Sequence, residues 1–261
     1  MKVRKLTDYL FSLYPLQNKE IWDPSGFSVK FNQAERLRGV VSAIDLTDKV
    51  LNKALEIDAN LILVHHPFKF LKTWKDEDLQ APYKKQILEK LKQHRIHVLA
   101  FHTNFDNAPF GTSKRIVEFL GLINYLKQHD NPYAGVIEYK TNLNELVALI
   151  KNKFGFQALR TNLPKDLWNN EISKIAILSG SGANVEINNL KNEGFDLIIT
   201  SDIKWSDWIN YQQTKTNILE IPHLDEEVFA QVIYNDVVNF IPKKHPMPVE
   251  IVKLEEPYQN I

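Results

Sequence analysis

The chain has 261 residues, 44% of them hydrophobic and 25% charged, with Lys+Arg and Asp+Glu balanced at 32 each. These figures fit a soluble globular protein of one large domain or two smaller ones, and no net charge draws it toward nucleic acid or an anionic membrane. The lack of cysteine excludes disulfides, thiolate metal sites, iron–sulfur clusters and a cysteine nucleophile, and it suits a reducing, cytoplasmic compartment.

Residues 1–16 read as an amphipathic first helix; their apolar part is short and interrupted by Asp8, unlike a signal peptide. No apolar run approaches the roughly 20 residues of a membrane span. A turn-rich loop over 21–27 precedes a strand-like stretch over 27–31. Residues 39–45 read as a buried strand ending in the carboxylate of Asp45. Thr47 can cap a helix whose apolar face is Val50, Leu51, Ala54 and Leu55. Leu61-Ile62-Leu63-Val64 is then too short for a helix and too apolar for a solvated turn, so it reads as a buried strand. Pro67 cannot donate to a ladder and keeps His66 out of helical geometry, so this strand ends at His65-His66.

A longer connection over 68–81 leads into a helix over 83–93, and a second apolar run, residues 98–101, ends at His102 with Asp106 four residues later. Three strands alternating with helices imply parallel βαβ units with right-handed crossovers. Asp45, His65, His66 and His102 are then expected along the carboxyl edge of one sheet, where open α/β folds bind ligands. A helix starts near Ser113, and 121–132 looks like a domain boundary. Beyond it come strands over 136–139 and 156–159 flanking a helix over 142–154. A strand over 174–178 runs into Ser179-Gly180-Ser181-Gly182, followed by a helix over 185–193 and a buried strand over 196–200 ending at Ser201-Asp202. A tryptophan-rich helix, a strand over 217–221, His223, a long helix over 225–240 and an alternating tail over 248–254 complete the chain.

Without cysteine, a divalent cation must be held by imidazole nitrogen and carboxylate oxygen. His65, His66, His102 and His223 each follow an apolar run, whereas His94, His97, His129 and His245 lie in lysine-rich or loop contexts and read as solvated. Adjacent histidines on a regular strand point to opposite faces, so His65 and His66 suit two different ions. His102 with Asp106, and His223 with Glu227, are four apart and share a face. Each pair also has an ordinary reading, a polar strand end or an acidic helix start favoured by the dipole; together they supply enough ligands for two ions with room for water. Asp45 is a candidate for orienting a histidine ligand through its second ring nitrogen. The Ser179–Gly182 segment matches neither the P-loop nor the dinucleotide fingerprint, and a tight strand-to-helix turn suits it better than a phosphate nest. Trp22, Trp168, Trp205 and Trp208 read as packing or interface residues rather than a stacking platform.

In this order, the Trp22-Asp23…Gly26 loop, the strand ending at Asp45, LILVHHPFKF, FHTNFDNAPFG, SGSGAN, DLIITSDIKWSD and IPHLDEE resemble the GTP cyclohydrolase 1 type 2 homologues. These are also called Ngg-interacting-factor-three-like dinuclear metal-centre proteins. The HHP and HTNxD motifs with a late His-x-x-x-Glu are the specific part. The resemblance implies a two-domain α/β sandwich with mostly parallel sheets, a metal-binding domain over 1–130 plus 220–261 and an inserted second domain over 131–219. It implies two divalent ions (Zn, Fe, Mn or Co) held by His65, His66, His102, Asp106, His223 and Glu227. It also implies a homohexamer, a trimer of dimers, in the family's short form. Where many relatives read Thr-Gly-Asp-x-Lys-x-His, this chain has Ser201 for the glycine and Ser206 for the histidine. Two functions follow as expectations. One is a metal-dependent hydrolase of a nucleotide or related small molecule; the other is a non-catalytic metal-binding assembly or metal-handling protein.

Overall fold

The computed structural model describes residues 1–244 and 246–261; His245 lies outside the described residues. Among these, eleven strands follow in chain order: β1 (Gly26–Val29), β2 (Val40–Ala43), β3 (Leu61–Val64), β4 (His97–Ala100), β5 (Leu126–Lys127), β6 (Ala134–Thr141), β7 (Arg160–Thr161), β8 (Ile172–Leu178), β9 (Leu197–Thr200), β10 (Ile218–Glu220) and β11 (Val249–Ile251). The chain divides into two compact units, residues 1–108 with 229–254, and residues 109–228 with 255–261. The second unit starts at Pro109, ahead of the composition change near 131, because the helix Thr112–Phe119 packs on β6. A carbon at the Cβ position of Gly135 would come within 2.6 Å of the Ser113 carbonyl oxygen, so that approach requires glycine.

The first unit is built on a sheet of order β1-β4-β3-β2-β11. β2, β3, β4 and β11 run parallel, and only β1 is antiparallel, against β4. Every residue of β3 is fully buried because helices cover both faces. Leu61 and Leu63 pack with Leu6 and Leu10 of the first helix (Val3–Leu13) and with Phe229 and Ile233 of the helix Val228–Phe240. Ile62 and Val64 pack the other way, with Leu51 of Asp48–Glu56 and with Ile87 and Leu91 of Tyr83–His94. The pleat of a single four-residue strand thus feeds two cores. The connection expected over 68–81 contains a further helix, Trp74–Gln80, started by Thr73, whose hydroxyl accepts from the Asp76 N–H at 3.1 Å.

The second unit has a sheet of order β5-β6-β8-β9-β10-β7. It is mixed: β8, β9 and β10 are parallel, whereas β5/β6, β6/β8 and β7/β10 pair antiparallel. The expectation of mostly parallel sheets therefore describes the first unit and not the second. Residues 156–159 form no strand; the two ladder residues come just after them, at β7. Alternation again feeds two cores. Ile175, Ile177 and Ile199 face the helices Thr112–Phe119 and Leu143–Phe154, while Ala176, Leu178 and Ile198 face Tyr211 and the helix Asn184–Asn192. No described helix is long and apolar enough to cross a membrane.

Candidate metal centre

In the first unit the registers Ala43↔Val64 and Val64↔Ala100 put the ends of β2, β3 and β4 side by side. The residues that follow them are therefore neighbours. Both the His65 and His66 amides donate to the Ile44 carbonyl, at 3.0 and 3.1 Å, which ends the ladder and lets the two rings share one end of the sheet. The ring centroids of His65, His66 and His102 form a triangle with sides of 5.0, 5.2 and 5.5 Å. One nitrogen from each lies within 4.8 Å of the others. After His102 the chain turns into the short helix Thr103–Asp106, with Asp106 N–H donating to the His102 carbonyl at 3.0 Å. Asp106 Oδ1 sits 3.6 Å from His65 Nε2.

All three imidazoles are held from behind by the same ring atom. His65 Nδ1 is 2.9 Å from the Phe101 carbonyl oxygen, His66 Nδ1 is 3.0 Å from Asp45 Oδ1, and His102 Nδ1 is 3.2 Å from Asp23 Oδ1. A carbonyl and a carboxylate can only accept, so each Nδ1 carries the proton and each Nε2 presents its lone pair. This tautomer suits a metal ligand that binds through Nε2, and it is set by oxygen acceptors behind the ring. His65 is fully buried, with Phe229 at 5.0 Å and Phe105 at 6.1 Å between ring centroids.

Asp23 escaped the sequence-based list of candidates. Because β1 runs antiparallel to β4, its start lies beside the end of β4, and the loop before it reaches His102. The buried Asp23 carboxylate accepts from Ser25 N (3.0 Å), Ser25 Oγ (2.6 Å), Thr103 N (3.0 Å) and the Thr103 hydroxyl, besides His102. Burial pushes its pKa up, but the hydrogen bonds from His102, Ser25 and Thr103 and the attraction to His102 outweigh burial and hold it well below the carboxylate range. The available signal was an aspartate in a turn-rich Trp-Asp-Pro-Ser-Gly loop, a common place for a structural aspartate.

In the second unit, His223 opens a 3-10 turn, His223–Glu227, ahead of the helix that α-helical spacing placed from 225. Three residues per turn bring Glu226 to the imidazole: Glu226 Oε2 is 3.0 Å from His223 Nε2, and Asp202 Oδ2 is 2.6 Å from Nδ1. Glu227 closes the turn. Burial disfavours a charged His223, yet the bonds to Asp202 and Glu226 and the charges of Glu226 and Asp225 prevail and push its pKa up to about 11. Asp225 is fully buried, and burial with the Glu226 charge pushes its pKa well above the usual value. So many carboxylates around one imidazole favour a cation, the place a proton on His223 now fills.

Gly180 makes room for this cluster. Its φ is +59°, and a Cβ there would lie 2.5 Å from Glu226 Oε1 and 3.2 Å from His223 Nε2. Neighbouring amides are already used: Ser179 N donates to Ser113 Oγ and Gly182 N to Thr200 Oγ1. Ser179–Gly182 is thus a tight turn that admits the His223 cluster, as its spacing suggested, with two of its amides turned into the protein. Of the other histidines, His94 is exposed and His129 pairs with Glu193 at 2.7 Å. His97, expected in solvent, is fully buried at the start of β4, where its Nδ1 accepts from Phe31 N at 3.2 Å. The lysine-rich context misled because it belongs to the helix before the strand.

The sequence pattern of the Duf34/NIF3 (NGG1p interacting factor 3) family matches residues 1–257. The chain belongs to this family. Among Duf34/NIF3 relatives, a Mycoplasmopsis pulmonis protein named GTP cyclohydrolase 1 type 2 homolog is 38% identical over 88% of this chain and 90% of its own. A Ureaplasma parvum protein of the same name is 32% identical over 92% and 91%. A crystal structure of a Bacillus cereus protein related to NIF3 shares the fold, with a TM-score of 0.84 at 18% identity over 100% of this chain and 99% of that one.

The family implies a metal, and the residues present fit one. Three imidazoles fixed by acceptors behind their rings, an adjacent carboxylate and the absence of thiols make an imidazole–carboxylate donor set that could hold a divalent cation.

Proposed function

We propose that this Duf34/NIF3 protein is a dinuclear metal-dependent hydrolase of a nucleotide or related small molecule. His65, His66, His102, Asp106, His223 and Glu227 are its ligands. The observation that carries this is the convergence of His65, His66 and His102, each with Nδ1–H committed to an oxygen and one nitrogen of each within 4.8 Å of the others. Also in support are the acid-rich surroundings of His223 and the name of the relatives from Mycoplasmopsis and Ureaplasma. Bound divalent cations would supply Lewis acidity, lowering the pKa of water and polarising an electrophilic carbonyl or phosphoryl group.

The chain's own part is preorganisation. Asp23 and Asp45 fix the tilt and tautomer of two rings, and Phe105 and Phe229 close the back of His65 against water. Asp202 aligns His223. The family resemblance also brings a homohexamer into this proposal, and the cysteine-free sequence a cytoplasmic setting.

The test begins with elemental analysis of gently purified protein, where two ions per chain are expected. His65→Ala and His223→Ala should each lower that number. Comparing Glu226→Gln with Glu227→Gln decides which carboxylate serves beside His223: a larger loss for Glu227 upholds the ligand that the resemblance implies, and a larger loss for Glu226 replaces it with the carboxylate 3.0 Å from the imidazole. GTP is then assayed for formate, which reports ring opening at C8, and for inorganic phosphate, which reports phosphoester cleavage. A wild-type protein that retains no divalent ion under any loading condition sinks the proposal. Full metal occupancy without turnover of GTP or a broad phosphoester panel would favour a metal-handling role instead.

A further inference from the structure

Two large aromatic side chains stand open to solvent beside His102. Trp22 is 60% exposed and Phe70 is 44% exposed. Their ring centroids lie 5.9 and 6.3 Å from the His102 ring, which each meets edge-on, and 6.1 Å from one another with planes 33° apart. Elsewhere in the chain aromatic pairs close on themselves: Tyr9 and Phe240 stack at 4.0 Å and 7°, and Phe154 and Phe156 at 4.9 Å and 5°. Trp168, by contrast, spends its indole N–H on the Leu163 carbonyl and packs. Trp22 and Phe70 leave ring faces uncovered at the rim of the histidine cluster.

Neither ring is exposed because its loop is loose. The buried carboxylate of Asp23, next to Trp22, gathers five hydrogen bonds, and Glu20 N–H donates to the Thr103 hydroxyl at 2.9 Å, tying the loop down on both sides of the indole. Phe70 is fixed by a second buried carboxylate. Glu77 Oε2 accepts from Phe70 N (2.9 Å) and Leu71 N (2.7 Å), and Lys84 holds Oε1 at 2.5 Å. Burying two carboxylates costs free energy unless each is fully bonded. Here both are spent on fixing backbone that presents an aromatic ring to solvent. Rings held this way lose little entropy when a flat partner lies against them.

We infer that Trp22 and Phe70 form a stacking platform for the planar heteroaromatic ring of the substrate, holding it against the His102 side of the metal centre. This deepens the hydrolase proposal and rests on it. It assigns the substrate class to compounds with a flat nitrogen heterocycle, such as a purine nucleotide, and makes the two side chains specificity-determining rather than reactive. Stacking reads the π-face and tolerates a change of base, so a purine and a pteridine-like ring would both be accepted while a sugar phosphate alone would not.

The test is calorimetric titration of the Zn- or Mn-loaded protein with guanosine 5′-monophosphate and with ribose 5-phosphate, which differ by the ring alone. The wild type should bind the nucleotide at least about tenfold more tightly. Trp22→Leu and Phe70→Leu should each weaken nucleotide binding by about tenfold, Trp22→Tyr should restore most of it, and ribose 5-phosphate affinity and metal content should stay unchanged. Equal affinity for the two probes in the wild type would overturn the inference, as would nucleotide binding indifferent to Trp22→Leu. Variants that bind the nucleotide normally but lose self-association in sedimentation would overturn it too, assigning the rings to an interface between copies. A wild type that takes up no metal defeats the hydrolase proposal and this inference together. Metal uptake that depends on His65, combined with indifference to the ring, defeats this inference alone.

Discussion

The two histidine clusters of this chain solve related problems in opposite ways. At the ends of β3 and β4 three imidazoles sit together, and every carboxylate or carbonyl that touches Nδ1 lies behind its ring. At His223 a single imidazole is gripped through both nitrogens, by Asp202 and Glu226, with Asp225 buried close by. The first cluster is organised by tautomer and orientation, so its rings are ready before a cation arrives. The second is organised by charge, and a proton stands where a cation would help. Donors oriented by hydrogen bonds and an excess of buried anions are two ways in which a fold can favour a cation.

Removing what holds the rings is the strongest way to break the comparison. Asp23→Ala would leave the buried donors of His102, Ser25 and Thr103 facing no acceptor, and we expect a loss of about 3–5 kcal/mol in chemical denaturation. Because the folded pKa of Asp23 is lowered, the stability it contributes is complete above the unfolded value of about 3.9 and is lost as pH falls through that value toward the folded one. The acid limb of a stability–pH curve should therefore flatten in the variant. An unchanged limb would mean that Asp23 does not anchor His102.

The charge-organised cluster has a different weak point. Gly180→Ala places a methyl 2.5 Å from Glu226 Oε1 on a backbone with φ of +59°, which costs at least about 1–2 kcal/mol from the left-handed conformation alone. Pushing Glu226 off the imidazole should lower the His223 pKa from about 11, as read by NMR titration of the metal-free protein, and leave His65, His66 and His102 unmoved. Movement of all four would show that the clusters are not independently organised.

The smallest effect sharpens the contrast within one strand. His97 and His102 flank β4, yet His97 Nδ1 accepts from Phe31 N, so His97 carries its proton on Nε2 while His102 carries it on Nδ1. Nitrogen-15 NMR of the metal-free protein at neutral pH should report opposite tautomers for the two. Burial, the leading cause, lowers the His97 pKa. Its contribution is therefore full above the ordinary histidine value of 6.5 and lost as pH falls below it, because the unfolded chain takes the proton first. His97→Phe should cost about 1 kcal/mol at neutral pH through the lost acceptor and remove that part of the acid slope.

How much of this was legible in the residues varied by element. The runs 61–64 and 98–101 announced buried strands ending in histidine, since continuous apolarity over four residues with a proline stop has few other outcomes. The tail over 248–254 announced an edge strand by its alternation, and β11 is one. The helix Trp74–Gln80 was hidden because its start signal, Thr73 with Asp76, lies in a stretch with no apolar period to extend it. The mixed second sheet was hidden because β6 and β8 have equally apolar faces whichever way they pair. Likewise the 3-10 turn at His223 brought Glu226 to the ring, a spacing of three that composition does not announce.

The sequence by itself determined which imidazoles and carboxylates are candidates to hold a metal, the α/β class and the strand ends where imidazoles gather. Local pattern decides these, through apolar run length, proline stops and the residue types that can hold a cation without thiols. Only the tertiary structure decided which ring nitrogen each imidazole commits to its neighbour. The choice between Nδ1 and Nε2 depends on acceptors brought from residues 21 to 79 positions away, and that proximity exists only once β1 lies antiparallel on β4 and β2, β3 and β4 stand in register. A hydrogen bond of about 3 Å is a property of the folded neighbourhood, and no spacing along the chain encodes it.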